Sequence, residues 1–226
     1  MSEPKILPQQ FQAQSNSIAS YNYTDIAEGT GIIKFYGFTT EDDAAIDYHL
    51  STNTAYSATE GTETAGSIVS TGSFKKVIDV DFDLSEFNLP KDIEGTAIIN
   101  MGHGVFSGAG STKVQGYIKA RIRKWDGSSE TEIANEDSAT IQAQNGANKR
   151  QIVSIKITIP KTHFKIGETL RLTIEGWHKN VTATSNTSRI PHVPQNSDTT
   201  NFTPSSEDVI TKIEAYIPFR LSDIGY

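Results

Sequence analysis

Three aspartates occupy alternate positions of one short segment, at Asp79, Asp81 and Asp83. Alternate residues of a β-strand point to the same face about 7 Å apart, so these carboxylates form a row. Carboxylate oxygens bind calcium, and pairs of carboxylates carry out acid–base chemistry. Both uses need oxygens that converge from several segments, whereas a straight strand spreads them. We therefore interpret this aspartate row as a solvated or salt-bridged face and predict no metal site on it.

A second row of charges has the same spacing and the opposite sign, at Lys119, Arg121 and Arg123. Opposite charges on neighbouring strands pair across a sheet. The sequence leaves two partners open for this basic row, the aspartate row of the same sheet or that of a neighbouring subunit. The row is too short for a nucleic-acid stripe, and a net charge of −7 repels phosphate backbones. We therefore expect no nucleic-acid partner.

Other residue types that could carry chemistry lack a recognisable spacing. None of the five histidines lies in an HExxH or HxH pattern, and the chain has no cysteine, so a zinc site is not predicted. The serines lack a GxSxG elbow, and no Walker glycine loop occurs. His103 lies in the glycine-rich segment NMGHGV, which indicates a bulge or a close approach of another backbone. The sequence therefore predicts no catalytic residue, no cofactor and no enzyme.

The large aromatic residues are the remaining candidates for a functional site. Trp125 and Trp177 fall opposite the inward-facing residues of their strands, at strand ends beside loops. Aromatic residues in such places serve as sugar platforms or interface anchors, although a covering loop or subunit could also bury them. The predicted interface consists of these tryptophans, further aromatic residues and the basic row: Phe11, Tyr21, Tyr23, Tyr117, Trp125, Trp177, Tyr216, Lys119, Arg121 and Arg123.

The elements that position these residues are strands with strict two-residue alternation. Residues 73–84 and 113–125 show the pattern best, and the Asp126–Gly127 turn after the second predicts a hairpin. Similar segments occur at 31–38, 46–50, 96–106, 152–160, 169–177 and 209–221, and a weaker, broken one follows the hairpin turn. One-sided alternation is typical of stacked antiparallel sheets with one wet face. The prediction is an all-β, single antiparallel β-sandwich, jelly-roll-like, with about eight strands; an immunoglobulin-like sandwich stays open.

Residues 1–30 show neither helical nor strand periodicity, yet they carry scattered apolar residues. They are interpreted as an extended N-terminal arm, with a disordered tail as the alternative, and residues 31–226 as the sandwich domain. Neither a signal peptide nor a membrane-spanning segment is predicted. The expected site of synthesis is therefore a host cytoplasm, with no membrane partner.

The segment GETLRLTIEGWHKN, followed by IPHVPQNSD, resembles a pattern of jelly-roll capsid decoration and minor capsid proteins of tailed phages and archaeal viruses. The resemblance covers residues 167–198. It implies a structural protein on the outer capsid surface of a virion, which binds the major capsid protein shell and stabilises it. It also implies a homotrimer, and it supplies no catalytic residues. The alternative is a carbohydrate-binding or host-attachment module with a glycan ligand.

Overall fold

The structure, a computed structural model, describes residues 30–42, 45–54, 61–65, 72–107, 113–144, 146–181, 186–199, 201–204 and 209–220. The predicted N-terminal arm, with Phe11, Tyr21 and Tyr23, lies outside these residues, apart from Thr30, where the first strand begins. Within the described ranges, no helix could span a lipid bilayer.

The described residues form twelve strands. These are β1 (Thr30–Asp42), β2 (Ala45–Ser51), β3 (Thr62–Ala65), β4 (Lys75–Asp83), β5 (Lys91–Phe106), β6 (Lys113–Trp125), β7 (Glu130–Asp137), β8 (Ile141–Gln144), β9 (Asn148–Phe164), β10 (Thr169–Asn180), β11 (Thr187–Pro191) and β12 (Ile213–Arg220). The prediction of an all-β protein is confirmed.

The strands join into one mixed sheet in the order β3-β11-β5-β12-β1-β2-β4-β10-β6-β7, with β9 paired to β5 and β8 paired to β6. The pairs are antiparallel except β2 and β4, which meet in parallel at His49 and Asp83. Residues of β5, β9 and β12 share one hydrophobic core with residues of β4, β6 and β10. The sheet therefore folds over on itself in a sandwich-like manner, although its strand order is not specifically that of a jelly roll.

The core follows the alternation of the sequence. Ile118, Ala120 and Ile122 of β6 are fully buried, while Lys119 and Arg121 between them belong to the outer face. Leu172 and Ile174 of β10 are buried as well, and alternating residues of β9 bury their side chains in the same way. The predicted inward residues of β12 are also buried, although that strand is covered on both faces. The predicted inward and outward faces of the long strands are therefore those of the structure.

Two segments differ from the prediction. Strands β3 and β11 lie in stretches where no strand was predicted, and they pair with each other from Thr62–Pro191 to Ala65–Ser188. The weak segment after the hairpin is broken, as predicted, into β7 and β8, which pair with different parts of β6. The nine predicted segments, the two short strands and this break give twelve strands, more than the predicted count of about eight.

The glycines beside His103 allow the close backbone approach that the sequence indicates. A Cβ on Gly102 would lie 2.3 Å from the carbonyl oxygen of Ile210, so only glycine fits under that backbone. A Cβ on Gly104 would lie 2.7 Å from a ring carbon of Phe106. Strand β5 is therefore covered on its outer face by the loop before β12 and by an aromatic ring.

Candidate functional site

The outer face of β4, β10 and β6 carries both charged rows. Strand β10 lies between them, so each aspartate of β4 faces a residue of β10, which in turn faces a residue of the basic row. The three cross-strand triplets are Asp83–Arg171–Arg123, Asp81–Thr173–Arg121 and Asp79–Glu175–Lys119. The aspartate row and the basic row therefore belong to one sheet, with a strand of mixed charge between them.

Arg171 of β10 pairs with the aspartate row. Its Nε and Nη2 atoms donate to the two carboxylate oxygens of Asp83, each at 2.7 Å, and Nη1 donates to Glu130 of β7. Asp81 accepts a hydrogen bond from the hydroxyl of Thr173 at 2.5 Å. Two of the three aspartates are thus bound by side chains of β10. No group of three or more metal-ligating side chains occurs in the described part of the chain.

Arg121 of the basic row binds Glu175 of β10 with two hydrogen bonds, from Nε at 3.0 Å and from Nη2 at 3.2 Å. The Glu175 side chain is only 2% exposed, because the arginine, Lys76 and Trp177 surround it. The pKa of Glu175 is lowered, because its hydrogen bonds to Arg121 and Trp177 outweigh the opposing effect of burial. A buried carboxylate is therefore held ionised at the centre of this face.

The basic row also pairs with β7 on its other side. Arg121 binds Glu132, Arg123 binds Glu130 at 2.7 Å, and Lys119 lies 3.2 Å from Asp137. Arg123 reaches the aspartate row directly only at Asp81, at 4.0 Å. The basic row is thus paired mainly with carboxylates of β7 and β10 in the same chain, and its pairing with the aspartate row of a neighbouring subunit stays a prediction.

Beyond the charged triplets the same face becomes aromatic. The rings of Tyr117 and Trp177 are stacked with an angle of 5° between their planes and 6.1 Å between their centroids. Phe74 meets Tyr117 edge-on at 5.0 Å, and the Lys179 ammonium lies 4.8 Å from the centre of the Phe74 ring. We call Phe74, Tyr117 and Trp177 the aromatic platform. All three residues are half-buried, so solvent reaches them.

Local structure fixes the orientation of this platform. Trp177 and Tyr117 are cross-strand partners of β10 and β6, and the pairing of β10 with β4 shifts register between Gly176 and Trp177. The Trp177 indole N–H donates to the buried Glu175 carboxylate at 2.8 Å. Burial raises the pKa of the Tyr117 phenol, and nearby carboxylates raise it further, so the phenol is neutral at neutral pH.

The other predicted interface aromatics lie apart from the platform. Trp125, at the far end of β6, is covered by the Arg171 guanidinium, which lies 4.7 Å from its ring centre. Tyr216 is on β12, where its hydroxyl donates to Glu214 at 3.3 Å and the Lys34 ammonium lies 5.2 Å from its ring centre. Among the described members of the predicted aromatic set, the structure thus brings together Tyr117 and Trp177, and it adds Phe74 to them.

Two further clusters were not predicted. The imidazoles of His103 and His178 meet inside the core, and the guanidinium groups of Arg150 and Arg189 meet at the ring of Phe106. Each cluster joins residues that are distant in sequence through the pairing of long strands. The glycines of NMGHGV were the one signal of the close packing around them.

No protein-family model and no curated protein match the chain. Among solved structures, an α-amino acid ester hydrolase covers 82% of this chain, with 10% identity and a TM-score of 0.49. An aminopeptidase from a marine sediment Thaumarchaeota archaeon also covers 82%, with 9% identity and a TM-score of 0.48. A structure of the infectious bursal disease virus Gx strain covers 98% of this chain and 55% of its own, with 11% identity and a TM-score of 0.24. The chain spans 36% of each of the first two proteins.

These matches correct the predicted function. The first listed structures are hydrolases, and CocE/NonD family hydrolases from Staphylococcus aureus match as well. The prediction of a capsid decoration or minor capsid protein is wrong, and its carbohydrate-binding or host-attachment alternative is withdrawn with it. The prediction that the chain is not an enzyme is contradicted by the same matches.

The likeness to those hydrolases concerns the fold, and their activities are not transferred to this chain. The predicted likeness to viral jelly-roll proteins has one weak counterpart, the bursal disease virus structure. The virion location, the capsid shell and the glycan ligand depended on the withdrawn function, and they stay untested predictions.

Proposed function

We propose that this chain is a binding module that associates with further copies of itself through the aromatic platform. The observation that carries the proposal is the parallel stack of the Tyr117 and Trp177 rings, which is half-buried on an outward sheet face. Large aromatic residues with a polar atom at one end are enriched where proteins meet. Two of the three platform residues, Tyr117 and Trp177, belong to the interface predicted from the sequence.

The surroundings favour an apolar contact over an ionic one. The charged residues of the same face are paired within the chain, including the three members of the basic row. They therefore have little to gain from charges on a second copy. Full burial of an exposed aromatic side chain contributes roughly 1.5–3 kcal/mol. The three platform residues are already half-buried, so each contributes part of that amount, and together they supply the main favourable term of an association.

The number of subunits follows from how the platforms meet. The predicted trimer relied on outward-facing aromatic residues for its contact and on the charged rows only for steering. The structure pairs the basic row with carboxylates of the same chain. A platform that faces its own symmetry mate gives a twofold dimer, whereas a head-to-tail contact closes a ring. The proposal is the self-association itself, and a mass measurement distinguishes a pair from the predicted ring of three.

Sedimentation velocity of the wild type and of Trp177→Ser at micromolar concentration tests this function. The wild type should sediment as an oligomer, and the variant should shift toward the monomer because the stacked pair is lost. Trp125→Phe is the matched control, since Trp125 is covered by Arg171 and lies outside the platform.

A further inference from the structure

Two arginines flank one glycine on the opposite layer of the fold. Gly104 of β5 pairs with Arg189 of β11 on one side and with Arg150 of β9 on the other. Residues paired directly across strands point to the same face, so both guanidinium groups lie on one face, with their Cα atoms about 10 Å apart. Thr64 of β3 continues this row beyond Arg189. The aromatic platform lies on other strands, so the two sites are separate.

The ring of Phe106 lies between these arginines. The Cζ atom of Arg189 is 5.0 Å from the ring centre, and that of Arg150 is 5.2 Å from it. Gly104 makes this possible, because a Cβ there would lie 2.7 Å from the ring. Phe202 supports the ring at a centroid distance of 6.3 Å. Both guanidinium groups therefore contact one aromatic ring.

Arg189 has unused hydrogen-bond donors. Its Nε and Nη1 atoms are buried, and neither has a hydrogen-bond partner among the described residues. A buried donor that is left unpaired destabilises the folded state, and it does so more when the group is charged. Burial lowers the pKa of Arg189, and the positive charge of Arg150 lowers it further. Within the described part of the chain, these two donors of Arg189 thus lack the hydrogen-bonded counter-charge usual for a buried cation.

We propose that Arg189, Arg150 and Phe106 form a binding site for an oxyanion, the phosphate or carboxylate group of a ligand. The planar guanidinium fork matches both groups with two parallel hydrogen bonds. Arg189 is half-buried, so solvent reaches part of its side chain, and a small rotation of the guanidinium group would bring the enclosed Nε and Nη1 atoms to a bound anion. An anion there supplies acceptors for the unused donors and offsets the repulsion between the two arginines. The apolar ring keeps water from competing for the same atoms.

Isothermal titration calorimetry with inorganic phosphate and with acetate tests the site in the full chain. Sodium chloride at equal ionic strength provides the baseline. One of the two probes should bind saturably, and the probe that binds identifies the group. Arg189→Gln should weaken that binding at least tenfold. Arg123→Gln is the matched control, because Arg123 is a half-buried arginine that pairs with Glu130 on the other layer, and it should bind as the wild type does.

Arg189→Lys provides a second variant that keeps the charge and removes the fork. This variant should bind the probe more weakly than the wild type. It therefore still tests the site if Arg189→Gln does not fold. Absence of saturable binding by both probes would overturn the proposal. Equal affinity of the wild type and Arg189→Lys, together with an unchanged affinity in Arg150→Gln, would also overturn it.

Discussion

The Nε2 atoms of His103 and His178 lie 3.4 Å apart inside the fold. Both imidazoles are fully buried, and neither Nδ1 atom has a hydrogen-bond partner in the described part of the chain. Gly116 makes room for His178, since a Cβ there would lie 2.7 Å from its Nε2 atom. Two neutral imidazoles can share one N–H···N hydrogen bond at this distance, whereas two imidazolium ions would repel each other.

This pair should make the fold sensitive to acid. Burial lowers the pKa of His178 from 6.5 to about 4, and burial together with His178 lowers that of His103 well below 6.5. The unfolded chain therefore binds these protons more readily than the folded chain does. The stability due to neutral histidines is complete above pH 6.5 and is lost as the pH falls toward 4. For His178 alone, the loss between pH 7 and pH 5 is about 2 kcal/mol.

Urea denaturation at the two pH values, compared between wild type and His178→Leu, measures this loss. The variant should lose less stability than the wild type on acidification. His163→Leu is the control, since His163 is exposed beside Asp92 and should leave the acid loss of the buried pair intact. An identical acid response of wild type and His178→Leu would show that the pair does not bind protons on unfolding.

The buried Glu175 makes a second prediction. Arg121→Met removes the arginine that donates two hydrogen bonds to Glu175. The carboxylate then keeps only its contacts with Lys76 and Trp177 among those described above. Loss of one partner of a buried pair costs about 3 kcal/mol, measured as the free energy of unfolding in urea at neutral pH. Adding Glu175→Gln to Arg121→Met should recover part of the loss, because the buried charge is gone.

Lys119→Met is the matched control for that prediction. Lys119 pairs with Asp137, whose side chain is 44% exposed, so its removal should change the free energy of unfolding by less than about 1 kcal/mol. Equal losses in Arg121→Met and Lys119→Met would contradict the special role of the buried carboxylate.

Arg189→Met should stabilise the protein in a buffer free of oxyanions. The substitution keeps an apolar side chain beside Phe106 and removes two unpaired buried donors as well as the repulsion from Arg150. We expect a gain of about 1 kcal/mol in the free energy of unfolding. Arg123→Met, which breaks an ion pair with Glu130, should give no gain. A clear destabilisation by Arg189→Met would show that Arg189 has an unseen partner.

The long strands and their faces could be predicted from the sequence, because each carries its own two-residue alternation. Strand β6, Lys113–Trp125, has the predicted bounds, and the outward position of Trp125 and Trp177 followed from the same pattern. Strands β3 and β11 were missed because TETA and TSRIP are too short to show a period, and their strand form depends on each other and on β5.

The candidate sites could be predicted only in part, because they depend on register between distant strands. The stack of Tyr117 on Trp177 requires β6 and β10 to pair residue for residue, which neither segment encodes alone. The predicted attraction between charged rows overlooked that β10 lies between them and binds both. Arg150 and Arg189 come together only through Gly104, a partner of both in the sheet.

The central claim is self-association through the aromatic platform, and sedimentation velocity over a range of micromolar concentrations tests it most directly. The account predicts that the wild type and Trp125→Phe sediment as one oligomer, little changed by added salt, since the contact is apolar. It predicts that Trp177→Ser and Tyr117→Ser shift toward the monomer while their urea midpoints show a folded protein. A monomeric wild type at every concentration would contradict the account, as would folded platform variants that sediment like the wild type.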